Sequence, residues 1–219
     1  NRGLAYDGLG LGKESIKDFE KAIKIDPKNH KAYNNLGTSF SELEKYEKAL
    51  ECFNEAIKLD SNNLDYFFNR GLAYDGLGLL KESTKDFEVV IKLDPKNHKA
   101  YHNIGRVFLL EEKYEASIEY LNKAIKLESN YSDYFFNRGL ANDGLGLLKE
   151  AIKDYEKAIK IDPKNDRAYY NFGRALLLQK KYEESIDYFN RAIKLDSNDT
   201  DYFLNRALAK DGLGLFEEA

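Results

Sequence analysis

Gly3, Gly37, Gly71, Gly105, Gly139 and Gly173 stand 34 residues apart without an insertion or deletion, and Ala207 takes the seventh place. So strict a period constrains the fold more than any single motif. Each copy must be one supersecondary unit that buries its apolar side only by stacking on its neighbours. With the small residue set at position 8, the units are 1–29, 30–63, 64–97, 98–131, 132–165, 166–199 and 200–219, the first and last partial. Together they predict a single array over 1–219.

Each unit reads as two helices. In 30–63, Tyr33, Leu36, Gly37 and Phe40 recur at spacings of three and four, the stripe of a helix packed on one side. Ala49, Leu50, Phe53, Ala56, Ile57 and Leu59 make a second stripe. Small residues at positions 8, 20 and 27 let the helices approach, and large ones at 4, 11 and 24 fill the space beside them. The other nine glycines (Gly8, Gly10, Gly12, Gly76, Gly78, Gly144, Gly146, Gly212 and Gly214) cluster between the two helices, where a left-handed residue can end the first. Pro27, Pro95 and Pro163 all fall at position 32, just past the second helix, which proline cannot continue. The expected fold class is all-α, a solenoid of helix-turn-helix hairpins.

A longer period of 68 residues overlies the first. Units beginning at 64, 132 and 200 carry Phe-Asn-Arg-Gly or Leu-Asn-Arg-Ala and a Gly-Leu-Gly turn. Units beginning at 30, 98 and 166 carry Tyr at positions 4 and 17. Arginine at position 7 (Arg2, Arg70, Arg138, Arg206) stands where an apolar residue is expected, and Asp18, Asp86 and Asp154 stand at position 23 of the same unit type. The other type has Leu36, Ile104 or Phe172 facing Cys52, Tyr120 or Tyr188. This alternation predicts an ion pair between the two helices of each arginine-bearing hairpin.

The pattern aromatic-x-x-Leu-Gly-x-x-aromatic, then small, aromatic, Ala and Asp-Pro, resembles the tetratricopeptide repeat. Asn35-Leu36-Gly37, Ala49, Phe53, Ala56 and Asp60, with Asp94-Pro95 elsewhere, carry the match, which spans the whole chain. The resemblance implies a right-handed α-α superhelix whose first helices line an inner, concave wall. On that wall would stand position 6, asparagine in every unit: Asn1, Asn35, Asn69, Asn103, Asn137, Asn171 and Asn205. A carboxamide offers one acceptor oxygen and two donor hydrogens, the complement a peptide group needs. Such a row is similar to the asparagine ladder in the repeat domain of the O-linked N-acetylglucosamine transferase. Each bond contributes only about 0.5–1.5 kcal/mol net, so specificity requires side-chain pockets as well. The expected peptide-binding residues are Asn35, Asn69, Asn103, Asn137, Asn171 and Asn205, with Phe68 and Phe136 at position 5 and Arg106 and Arg174 at position 9. The competing expectation is that the asparagines bond their own neighbours. Phe-Asn-Arg is also similar to repeat modules that clamp a C-terminal carboxylate, but Asn34 and Thr38 before Asn69, and Asn103 after it, break the set of converging cations.

Other classes are disfavoured. The chain carries 38 acidic against 34 basic residues, a net charge of −4, and gives no pull toward nucleic acid. Apolar runs such as Val107–Leu110 are too short to insert in a membrane. The single cysteine, Cys52, forms no internal disulfide and fits a reducing, cytoplasmic compartment. Gly8-Leu9-Gly10-Leu11-Gly12-Lys13 fails as a phosphate loop, because Asp7 replaces its first glycine and Glu14 its metal-binding hydroxyl. His30, His98 and His102 with one cysteine give no zinc spacing. Asp60, Asp94 and Asp162 are accounted for by helix termination, and Asn130-Tyr131-Ser132 and Asn198-Asp199-Thr200 fit the glycosylation pattern only on inter-unit loops.

The resulting expectation is a scaffold, not an enzyme, needing no cofactor, that holds an extended segment of a protein partner. Alternatives are the substrate-recruiting arm of a larger enzyme, or an architectural spacer. Apolar stripes at the cut ends would favour end-to-end self-association.

Overall fold

The computed structural model describes residues 12–214, all helix and connecting turn among the described residues. In chain order the helices are α1 (Gly12–Ile25), α2 (His30–Glu42), α3 (Tyr46–Leu59), α4 (Leu64–Gly76), α5 (Leu80–Leu93), α6 (His98–Leu110), α7 (Tyr114–Leu127), α8 (Ser132–Gly144), α9 (Leu148–Ile161), α10 (Asp166–Leu178), α11 (Tyr182–Leu195) and α12 (Thr200–Gly212). Every complete unit repeats a 13-residue first helix and a 14-residue second one, in the register the glycines predict. The chain divides into two compact units between Val107 and Phe108, within α6.

In both units the second helix lays a large side chain across the position-8 glycine. Phe53, Phe87, Leu121, Tyr155 and Phe189 at position 24 are almost wholly buried, as are Ser15, Ala49, Ser83, Ser117, Ala151 and Ser185 at position 20. The first unit gathers Ala49, Phe53 and Ala73 into a core, and the second gathers Phe135, Phe136, Ala151, Tyr155, Ala158, Ala168, Phe172 and Leu176. Among the described residues the Tyr155 hydroxyl, like those of Ser41 and Ser83, is buried with no hydrogen-bond partner. An orphaned hydroxyl costs about 1–3 kcal/mol of desolvation. Tyr155→Phe is therefore expected to raise the melting temperature by roughly 2–4 °C per kcal/mol recovered, read by thermal denaturation. An unchanged or lower value would count against an orphaned hydroxyl.

Loop chemistry follows from short side chains bonding nearby backbone. Asp26, Asp60, Asp94, Asp162 and Asp196 each accept from the backbone N–H two residues on. Asn29, Asn97 and Asn165 cap the next first helix by accepting from Ala32, Ala100 and Ala168. The turn glycines divide into two roles. Gly78, Gly146 and Gly214 are left-handed, with φ of 70°, 73° and 76°, as expected. Gly76, Gly144 and Gly212 end their helices without a positive φ. A Cβ there would stand within 2.6 Å of the Tyr46 ring, or 2.5 Å of the Tyr114 or Tyr182 ring. These three make room for the position-17 tyrosine of the preceding hairpin. In the other unit type, Glu44, Glu112 and Lys180 take the left-handed place.

The predicted ion pair is present and bidentate. Arg70 Nε and Nη2 donate to Asp86 at 2.7 Å each, and Arg138 Nε and Nη2 donate to Asp154 at 2.9 and 2.6 Å. The Asp86 carboxylate, as hydrogen-bond acceptor, pushes the Arg70 pKa above its ordinary value. A third partner was not foreseen. Nη1 of Arg70, Arg138 and Arg206 donates to Asn54, Asn122 and Asn190 at position 25 of the preceding unit, at 2.6, 2.5 and 2.8 Å. Each arginine thus ties two hairpins together. Arg2, the predicted partner of Asp18, lies outside the described residues.

Candidate functional site

The candidate site is the side of the array formed by the first helices, taken in each compact unit by itself. Position 2 is exposed throughout and alternates in sign: Lys31, Asp65, Lys99, Asp133, Arg167, Asp201. Position 6 lies one helical turn further on. Asn35, Asn69, Asn103 and Asn205 are partly exposed, whereas Asn137 and Asn171 keep only 9% and 7% of their surface. Asn1 lies outside the described residues.

Internal bonding uses part of this row. Asn103, Asn171 and Asn205 donate through Nδ2 to the carbonyl four residues back, of Lys99, Arg167 and Asp201, at 2.8–2.9 Å. Asn69 donates to Asn34 Oδ1 at 3.0 Å, and Asn205 also to the Tyr170 hydroxyl at 3.1 Å. Position 5 thus steers position 6 of the following unit. A carboxamide has two donors and an acceptor, so these bonds orient the side chain while leaving it hydrogen-bonding capacity.

The other expected residues are distributed differently. Phe68 is partly exposed and meets Phe87 edge-on, with centroids 5.5 Å apart. Phe136 is only 4% exposed; it belongs to the core, with the Arg167 guanidinium 5.0 Å from its ring centre. Arg106 and Arg174 are engaged in ion pairs that cross between hairpins, Arg106 with Asp75 and Arg174 with Asp143, the latter at 2.5 Å. The carboxylates come from position 12 of the preceding unit, 31 residues back. A 31-residue Asp-to-Arg spacing that recurs every 68 residues was the available signal for this pair.

His102, at position 5, has its pKa lowered to about 4 by burial, with Arg106 and His98 adding repulsion. Protonation therefore favours the unfolded chain. The contribution of neutral His102 is complete above its ordinary value of 6.5 and is lost as pH falls toward 4. His102→Asn, which installs the residue found at Asn34, is expected to reduce the fall in melting temperature between about pH 7 and about pH 4.5. An unchanged pH profile would exclude the histidine as its source.

One feature of this side was missed at the level of sequence. Between α2 and α4 lies a cavity of about 280 Å³, lined by Thr38, Ser41, Glu42, Phe53, Asn69 and Leu72. Its walls combine apolar surface with the Asn69 carboxamide, and the buried Ser41 hydroxyl oxygen has no hydrogen-bond partner among the described residues. At this cavity unit 30–63 departs from its sister units. Thr38 stands where they have Arg106 and Arg174, and Ser41-Glu42 where they have Leu109-Leu110 and Leu177-Leu178.

Among the described residues no group of three or more His, Cys, Asp or Glu side chains could hold a metal, and no helix is long and apolar enough to cross a membrane.

Family models described as Tetratricopeptide repeat match residues 30–63 and 166–199, and residues 1–29, 64–97 and 98–131; one described as TPR repeat matches 145–180. No curated protein sequence matches the chain significantly. Among solved structures, MamA is similar at 27% identity and a TM-score of 0.68, over 74% of this chain and 95% of MamA. PilF of Pseudomonas aeruginosa is similar at 20% identity and a TM-score of 0.82, over 94% of this chain and 93% of PilF. YrrB, described as a TPR protein with an unusual peptide-binding site, is similar at 24% identity and a TM-score of 0.68, over 85% of this chain and 96% of YrrB. The repeat register, the hairpin packing and these matches lead to one conclusion: the chain belongs to the tetratricopeptide repeat family.

Proposed function

We propose that the first-helix side binds an extended segment of a partner polypeptide, and that the cavity beside Asn69 receives one of its side chains. The observation that carries this reading is the cavity itself, where a carboxamide expected to meet peptide backbone adjoins a mostly apolar hole, with the Ser41 hydroxyl unpartnered among the described residues. Asn35 and Asn103 stand at the same position in the flanking hairpins, and both remain partly exposed. Exposed charges of alternating sign at position 2 suit a segment of mixed charge rather than a polyanion. The task proposed is binding rather than bond-making. YrrB, which shares the fold, is described with a peptide-binding site.

The test is selection of binders from a random-peptide display library on the wild-type chain, followed by affinity measurement on two variants. Ser41→Leu puts into the cavity the residue that the sister units carry there, and should weaken the selected peptides at least about tenfold, the effect of about 1.4 kcal/mol. Asn69→Ala removes one bond and should weaken them roughly two- to tenfold. Peptides that bind both folded variants as tightly as the wild type would refute the site.

A further inference from the structure

Hairpins 64–97 and 132–165 share one frame on the side built by the second helices. In each, the arginine holds its own aspartate and an asparagine of the preceding unit, and a glutamate and a lysine stand at the rim: Glu82 and Lys85 in one, Glu150 and Lys153 in the other. The frames differ at position 11 of the first helix, which is Tyr74 in one and Asn142 in the other; the first unit also has tyrosine there, Tyr6. Arg70 is flanked by two rings, Phe67 at 5.6 Å and Tyr74 at 5.8 Å. Arg138 keeps the first, Phe135 at 5.6 Å. In place of the second there is a cavity of about 250 Å³, lined by Ile118, Asn122, Arg138, Asn142, Lys153 and Asp154 among others.

The chemistry of this cavity selects its occupant. Three of the five N–H groups of Arg138, one each on Nε, Nη1 and Nη2, donate to Asp154 and Asn122, and Asn142 Nδ2 donates to Asp154 Oδ2 at 2.9 Å. The Asp154 carboxylate already compensates the guanidinium charge, so an anion gains little. The flat face of the guanidinium is a surface that an aromatic ring can cover. Ile118 supplies an apolar wall, while exposed Glu150 and Lys153 offer an acceptor and a donor to a phenolic hydroxyl. We propose that this cavity docks a tyrosine-like side chain of a partner protein, which takes beside Arg138 the place that Tyr74 takes beside Arg70. The proposal concerns a different side of the hairpins from the peptide site above and does not depend on it.

The probe is p-cresol, the side chain of tyrosine, titrated into the isotope-labelled chain and followed by NMR at the Asn142 carboxamide and the Arg138 guanidinium. Saturable shifts at both groups are expected. Asn142→Tyr, which installs the residue its sister hairpin already carries, should remove the shift at Arg138, weakening binding at least tenfold. Tyr74→Asn should open a second cavity and bring new saturable shifts at Arg70 and Asn54. Melting curves of both variants establish that each is folded, and either one alone decides the matter. The proposal is overturned if wild-type Asn142 shows no saturable shift, if the Arg138 shift survives in folded Asn142→Tyr, if folded Tyr74→Asn gains none, or if acetate reproduces the wild-type shifts.

Discussion

Asp154→Ala is expected to destabilise the chain by about 3–5 kcal/mol, measured by urea or thermal unfolding. Asp154 is 4% exposed and accepts three bonds, two from Arg138 and one from Asn142. Removing it strands a guanidinium that is itself largely enclosed, its side chain 24% exposed. The loss measures an abandoned charge and not the net worth of the pair. A well-packed apolar pair in the same place is commonly neutral or better. Unit 166–199 shows what such a pair looks like, with Phe172 stacked on Tyr188 at a centroid separation of 3.9 Å. Arg138→Phe with Asp154→Tyr is therefore expected to restore most of the stability that Asp154→Ala removes. Comparable losses in the single and double variants would mean that the pair itself contributes substantially to stability.

Gly37→Val is expected to cost about 3 kcal/mol, the upper range for forcing extra carbon into a packed core. A Cβ at Gly37 would stand 2.7 Å from Phe53 Cε1 and 2.9 Å from Cδ1, and Phe53 is 1% exposed. The better helix propensity of a non-glycine residue recovers less than about 1 kcal/mol of that. Phe53→Leu, the residue found at Leu121, removes ring atoms from the clash and should recover about half the loss in Gly37→Val. Full tolerance of valine by unmodified Phe53 would contradict the close approach on which every hairpin is built.

The hairpin register and the Arg–Asp pairs of positions 7 and 23 were legible in the sequence because they depend on spacing within one hairpin. Contacts between hairpins were harder, since helical periodicity does not fix the angle at which the next pair stacks. Arg106 and Arg174 were expected to serve a ligand, yet each is long enough to reach an aspartate of the preceding unit. Phe68 and Phe136 hold the same position and look equivalent in sequence, but Arg167 covers the second ring from the following unit. The asparagine row was readable as a row. Its bonds to carbonyls four residues back were anticipated only as the competing expectation, and they follow from the short reach of the side chain. The cavity at Thr38, Ser41 and Glu42 was legible in retrospect, as a local departure from the 68-residue period.

The most direct test of the binding account is the NMR signal of the carboxamide groups themselves while a display-selected peptide is titrated into the labelled chain. The account predicts that the NH₂ resonances of Asn35, Asn69 and Asn103 shift saturably and exchange more slowly with solvent, while that of enclosed Asn171 stays in place. Tight binding with shifts confined to second-helix residues, and none at those three carboxamides, would contradict it.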